Sequence, residues 1–330
     1  MQPRSRLFLA LSIPVLVLTG SCGPAPQVSS QGTYYLVATN VKIPYWQSAA
    51  SGLKRAASEL HVKAELIGPD TYQPRLQHEA FQHALSLDPA GILISVGDRR
   101  LMRADIDSAI ERGIPVFTID SDAESSKRLL FVGTDNYKAG VTMGTIVAGT
   151  LNGKGNIVVF TLPDQLNLVE RLRGLNETVA GHAGLKVTQV VDMKGDPQVV
   201  RDTAKEILTK NAAKVDALLC LEAIACPEIA EVLSTMNVSG KLVVSMDADP
   251  RTLDWIKKGF ISATIAQKPF TMAYVGLRMM ADLNQIKLGN LDRNWIGSPV
   301  SPMAALVDTG VTLVNHDNVD EYIKESSSTQ

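Results

Sequence analysis

Short apolar runs alternate along this chain with longer stretches whose apolar residues recur every three or four positions. The runs predict strands near Tyr34–Thr39, Lys63–Ile67, Gly91–Ser95, Pro115–Asp120 and Leu129–Val132. A second set falls near Asn156–Phe160, Lys186–Val191, Ala217–Leu221, Leu242–Asp247 and Ser262–Ile265. Trp46, Ala49, Ala50, Leu53, Ala56, Ala57 and Leu60 trace one face of a helix. Ile106, Ala109 and Ile110 mark another, ended by Gly113 before Pro115. Val141–Leu151, Val199–Leu208, Ile229–Met236 and Met272–Leu283 pass the same test. Two successive βα series imply two α/β domains.

Twice an unbroken apolar strand runs into an aspartate, at Val116–Asp120 and Val243–Asp247. Such runs read as inner strands of parallel sheets, and ligands in open α/β sheets bind beyond the strands' carboxyl ends. Asp120 and Asp247 are therefore expected to face one ligand from opposite halves; the alternative for each is helix capping.

The first residues read as an export signal: Arg4 and Arg6, then an apolar run from Leu7 to Leu18, too short to span a bilayer. Leu18-Thr19-Gly20-Ser21-Cys22 resembles a bacterial lipobox, which implies a lipoprotein signal over residues 1–22 and lipidation at Cys22. Residues 23–32, rich in Gly, Pro, Ser and Gln, read as a flexible tether. No later stretch is long and apolar enough to span a membrane. The body is expected to be a soluble monomer in the periplasm or at the cell surface, anchored through lipid. A net charge of −2 without long basic runs argues against nucleic acid. Cys220 and Cys226 are expected as buried free thiols, with a disulfide as the alternative, because six residues across a strand end and a helix start could hold them apart.

Enzymatic signatures are missing. Gly153-Lys154-Gly155 lacks the third glycine of a dinucleotide turn, and no Gly-Lys-Ser/Thr or Gly-x-Ser-x-Gly occurs. The five histidines show no metal-ligand spacing. Asp120 and Asp247 could form a glycosidase-like acid pair, but nothing else supports a hydrolase. The expectation is a binding protein with no catalytic residues, cofactor or metal.

Several segments resemble type I periplasmic binding proteins. Ile43-Pro44-Tyr45-Trp46 looks like that family's loop and aromatic helix start, and Gly113–Asp120 resembles its fourth strand. Val132-Gly133-Thr134-Asp135-Asn136 with Ala139-Gly140 is similar to its first domain crossover. Glu170-Arg171-Leu172-Arg173-Gly174-Leu175 resembles a helix start, and Ala263-Thr264-Ile265-Ala266-Gln267 matches the ribose-type branch. The resemblance implies two doubly wound, Rossmann-like parallel-sheet domains joined by a three-strand hinge. One lobe would comprise residues 33–134 plus 268–297 and the other 135–267 plus 298–318, with 319–330 a tail. Hinge passages are expected near Thr134-Asp135, Gln267-Lys268-Pro269 and Ser298–Pro302, with Ala305–Val314 a single late strand. The implied function is capture of a monosaccharide or polyol and delivery to the permease of an ABC importer. Ligand presentation to a chemoreceptor or sensor kinase is the alternative. A transcription-regulator core is disfavoured, since a signal and tether stand where a DNA-binding helix pair would be.

By this resemblance Asp120 and Asp247 accept hydroxyl protons, Arg171 donates a planar fork, Gln267 donates and accepts, and Tyr45 and Trp46 cover a ring face. Glu222 stands where that branch carries Asn, and Ile43 where a ligand-binding Asn is usual. No aromatic near Lys194-Gly195-Asp196 closes the second ring face. Three acids against one arginine require that Glu222 pair with Arg171, that Lys42 reach in, or that the ligand be partly cationic. Glu222 is expected to accept a hydroxyl or amino group from the ligand.

Overall fold

The computed structural model describes residues 32–286, 301 and 303–329. The expected export signal, the tether, Cys22 and most of Ser298–Pro302 lie outside those residues. Among the described residues twelve strands follow one another as β1 (Thr33–Val37), β2 (Lys63–Ile67), β3 (Gly91–Ile94), β4 (Val116–Ile119), β5 (Leu130–Gly133), β6 (Lys154–Thr161), β7 (Gly184–Asp192), β8 (Ala217–Cys220), β9 (Leu242–Met246), β10 (Ala263–Ala266), β11 (Leu306–Asp308) and β12 (Thr312–Asn315). The helices are α1 (Pro44–Leu60), α2 (Pro74–Ser86), α3 (Arg99–Glu111), α4 (Asn136–Thr150), α5 (Leu166–Ala180), α6 (Pro197–Asn211), α7 (Ala225–Thr235), α8 (Pro250–Lys257), α9 (Pro269–Ile286) and α10 (Val319–Thr329).

The strands form two six-stranded sheets of matching topology, β2-β1-β3-β4-β5-β11 and β7-β6-β8-β9-β10-β12. Every pairing between these strands is parallel except β10 with β12. All residues of β3, β4, β5, β8, β9 and β10 are buried. Helices cover both faces of such sheets, so inner strands read as continuous apolar runs. The edge strand β7 alternates instead, with mostly exposed residues. In each sheet the chain order reverses direction beside the first strand of that sheet, β1 or β6, placing a crevice at the carboxyl ends.

The chain passes between lobes from β5 to α4, from β10 to α9 and from β11 to β12. The third passage, Asp308 to Thr312, differs from the one expected near residue 298. Gly310 has φ +72° and breaks the apolar run at Ala305–Val314. β11 consequently joins the first sheet and β12 the second. Asp308 is bonded to the first passage through the Asp135 N–H (3.2 Å), and Thr309 N–H donates to the Gly133 carbonyl (2.8 Å). Residues Val319–Thr329 form a helix rather than a tail, because Val319, Tyr322 and Ile323 pack on the second core.

Close helix crossings seat the elements that follow two of these passages. A Cβ on Gly140 of α4 would lie 2.0 Å from the Arg171 carbonyl of α5, and one on Gly174 would lie 2.2 Å from the Tyr137 carbonyl. In the first lobe Gly52 of α1 allows the same approach to Phe270 of α9, at 2.1 Å. Among the described residues no helix is long and apolar enough to cross a membrane.

Candidate functional site

The carboxyl ends of the two sheets face each other across a narrow polar cleft, the place where open α/β sheets hold ligands. All seven residues expected at a ligand, Tyr45, Trp46, Asp120, Arg171, Glu222, Asp247 and Gln267, line it.

Asp120 and Asp247 occupy matching positions in the two lobes. Both follow the last residue of an inner strand, and both sit in the left-handed region, with φ of +64° and +67°. Asp tolerates that region better than most side chains. The backbone N–H of each donates to the neighbouring strand, Asp120 to the Val132 carbonyl and Asp247 to the Ile265 carbonyl. Neither caps a helix: Asp135 caps α4 and Asp249 caps α8. Asp120 accepts from the Tyr45 hydroxyl and the Ser95 hydroxyl, each at 2.8 Å. Asp247 accepts from the Gln267 amide at 2.9 Å.

Arg171 lies one turn into α5 and is 2% exposed. Its Nε donates to Asn136 Oδ1 (2.8 Å) and its Nη1 to the Leu221 carbonyl (2.6 Å). Its Nη2 is buried without a partner, as are Gln267 Oε1 and Asn40 Oδ1. A buried polar atom left unpaired costs about 1–3 kcal/mol, so these three atoms mark positions where a polar guest would restore lost bonds.

Burial pushes the Asp120 carboxyl up, against the opposing pull of Arg171 and of hydrogen bonds from Tyr45, Ser95 and Asn167. Burial raises Asp247 to about 6 and Glu222 to about 8. Asp247 also raises Glu222, while the Ile224 N–H and Arg171 lower it. Burial, with Asp120 and Asp247 close by, holds the Tyr45 hydroxyl well above its ordinary value.

Neither protein-based balance for the acids is present. The bonds of Arg171 go to Asn136 and Leu221, so it does not ion-pair with Glu222. Glu222 Oε2 instead accepts the Ile224 N–H at 2.8 Å. Lys42 points away and meets Asp70 at the surface, 3.7 Å distant. Arg171 is the opposing charge that pulls all three carboxyls down, and α1, α5 and α7 begin at the cavity with N-cap residues that make no side-chain cap bond; helix N-termini are the partially positive ends of their dipoles.

The aromatic walls differ in kind. Tyr45 is half-buried at the cleft, whereas Trp46 is 2% exposed and donates its indole N–H to Thr39 Oγ1. Trp46 is thus a core residue that also lines the cavity. The aromatic missing near Gly195 is supplied from the other lobe by Tyr72. A Cβ on Gly195 would lie 2.6 Å from Tyr72, and Tyr72 also lines the cavity. Together with the Arg100–Asp164 ion pair at 3.0 Å, this contact brings the two lobes together across the cleft.

Asn40, Tyr72, Gln165 and Asn167 also line the cavity and were not anticipated. Asn40 lies three residues beyond β1 but directly after the predicted strand Tyr34–Thr39, and Asn167 precedes Arg171 by four residues on the same helix face, so both had a readable signal. Tyr72 and Gln165 lie in loops and had none. The two cysteines expected as free thiols form a disulfide: Cys220 ends β8, Cys226 lies in the first turn of α7, and their Cα atoms are 5.7 Å apart. The intervening loop turns back tightly enough to bring strand end and helix start within bonding reach.

Known proteins share this architecture. A sequence profile described as "Periplasmic binding protein domain" matches residues 34–287. The D-allose-binding periplasmic protein of Escherichia coli (strain K12) is 22% identical over 260 residues, covering 76% of this chain and 83% of that protein. The ribose import binding protein RbsB of Bacillus subtilis (strain 168) is 25% identical over 292 residues, covering 81% and 88%. The structure of AraP, an arabinose binding protein from Geobacillus stearothermophilus, superposes with a TM-score of 0.72 at 33% identity, covering 88% of this chain and 99% of that one. Sharing sequence and fold with these proteins over most of its length, the chain belongs to the type I periplasmic binding protein family, in its ribose-type branch.

Proposed function

We propose that this protein captures a monosaccharide or related polyol between its lobes outside the cytoplasm and hands it to an ABC-type importer. The observation that carries the reading is the set of unpaired buried atoms, Arg171 Nη2, Gln267 Oε1 and Asn40 Oδ1, beside the strand-end carboxylates Asp120 and Asp247. Sugar hydroxyls both donate and accept, so one small ligand meets guanidinium, amide and carboxylate together, and bonds to charged groups are the stronger ones. Tyr45 and Tyr72 give its ring an apolar boundary. The proteins reported above are named for allose, ribose and arabinose, which fits this donor and acceptor set.

Each lobe carries half of these groups, so only the closed form satisfies them all, and ligand shifts the hinge equilibrium toward closure. The permease reads that closed surface, and a lipid on Cys22 holds the receptor at the membrane. None of these steps alters the sugar covalently, so the role is binding rather than catalysis. A calorimetric and thermal-shift screen against pentoses, hexoses, polyols and aminosugars tests the reading. A binder raises the melting temperature by mass action; no shift across the panel refutes the sugar assignment.

A further inference from the structure

The six-residue step from Cys220 to Cys226 contains two of the contacts that shape the cleft. The Leu221 carbonyl receives Arg171 Nη1, and Glu222, Ala223 and Ile224 line the cavity. Cys220 pairs in register with Phe160 of β6 and is fully buried, as is Cys226. The bridge therefore ties both ends of a cleft-lining loop to the core of the second lobe.

Neighbouring junctions achieve the same hold in another way. Asp196 closes the start of α6 through the Gln198 N–H, and Asp249 closes α8 through the Arg251 and Thr252 N–H groups. At α7 the N-cap residue is Ile224, with no side-chain cap. The one side chain bonded there, Glu222, belongs to the cavity wall, and its Oε2 takes the Ile224 N–H. Glu222 thus has to meet a ligand and hold the loop with one carboxyl, whereas the bridge restrains the loop independently of any ligand.

We propose that the Cys220–Cys226 disulfide is a positioning element of the binding site, pinning residues 221–225 so that Glu222 faces the ligand and the Leu221 carbonyl holds Arg171. The ligand half of this inference rests on the sugar-binding reading; the loop half does not. A bridge that serves only the core would leave the loop and the role of Glu222 unchanged when removed.

The test compares the full protein with its Cys220→Ala/Cys226→Ala variant, each ligand-free, by amide hydrogen exchange. Exchange across residues 221–226 is expected to quicken about tenfold or more without the bridge, while the interior of β8 and β9 stays protected. Unchanged exchange in the loop overturns the proposal. If the alanine pair fails to fold, wild-type protein reduced with a phosphine and checked by mass mapping for free thiols at Cys220 and Cys226 gives the same comparison. Loss of folding in both specimens also overturns it, since the bridge would then serve the core.

With a sugar identified from the panel, Glu222→Gln is measured in bridged and bridge-free backgrounds. The expected result is weaker binding without the bridge and a markedly smaller Glu222→Gln effect there, the signature of coupling. Equal effects in both backgrounds overturn the proposal. If no sugar binds the bridged wild type, the sugar reading fails by itself, and the exchange comparison alone decides the inference.

Discussion

Glu222→Gln replaces a cleft carboxyl with a neutral group of nearly the same shape, which makes its pH dependence a direct probe of the acid excess. Burial pushes the Glu222 carboxyl from its ordinary 4.5 up to about 8 in the folded chain. A folded value raised in this way contributes stability that is fully present below about 4.5 and is lost as pH rises through about 8. Between those limits the unfolded chain has released the proton and the folded chain still holds it. At 1.36 kcal/mol per pH unit, that gap sets a ceiling of about 5 kcal/mol. Hinge opening hydrates the carboxylate without unfolding either lobe, so the expected loss is about 1–2 kcal/mol. Asp247, raised from 3.8 to about 6, adds a loss of the same sign at lower pH. Urea unfolding of ligand-free protein at pH 5 and pH 9 measures it. Wild type should lose about 1–2 kcal/mol more than Glu222→Gln over that interval, with Asp247→Asn accounting for part of the change below pH 7. Parallel stability curves for wild type and Glu222→Gln would refute the reasoning.

Asp120→Asn and Asp247→Asn should each weaken sugar binding by about 1.5–3 kcal/mol, or about 10- to 150-fold, measured by titration calorimetry, because each removes a charged acceptor. A change below threefold for both would contradict their roles as opposing jaws. Gly140→Ala should lower the melting temperature markedly, since its Cβ would lie 2.0 Å from the Arg171 carbonyl and must push α5 away; the penalty for such overpacking is about 1–3 kcal/mol. Calorimetric melting of wild type and variant checks it, and equal melting temperatures would show that the helices part freely. Arg100→Ala breaks an exposed ion pair between the lobes. It should change stability by less than about 1 kcal/mol while shifting the ligand-free protein toward open forms, visible as a larger radius of gyration in solution scattering.

The inner strands among the first ten were legible because an inner parallel strand must be apolar on both faces, a demand that leaves a mark in any one segment; the edge strands β2 and β7 showed a weaker, alternating pattern. The helices with strong apolar stripes were legible for the same reason. α2 and α8 were not: α2 is largely polar and buries Gln77 among its few core residues, and α8 is short. The strand-end position of Asp120 and Asp247 was readable as well, because the crevice of an open α/β sheet always lies at that end.

What the chain alone determined about this protein is its class and its polar cast: two βα series, an acid at the end of an inner strand in each, and an arginine and a glutamine near by. These are local properties, each set by the residues of one element. The tertiary structure decided which groups meet. It brought Tyr72 across to Gly195, sent Lys42 to the surface, left Arg171 Nη2 and Gln267 Oε1 without partners, and closed the bridge behind Glu222. Each of those outcomes depends on segments far apart in the chain. No periodicity records how two sheets face one another, and pairing across the cleft is set by that geometry.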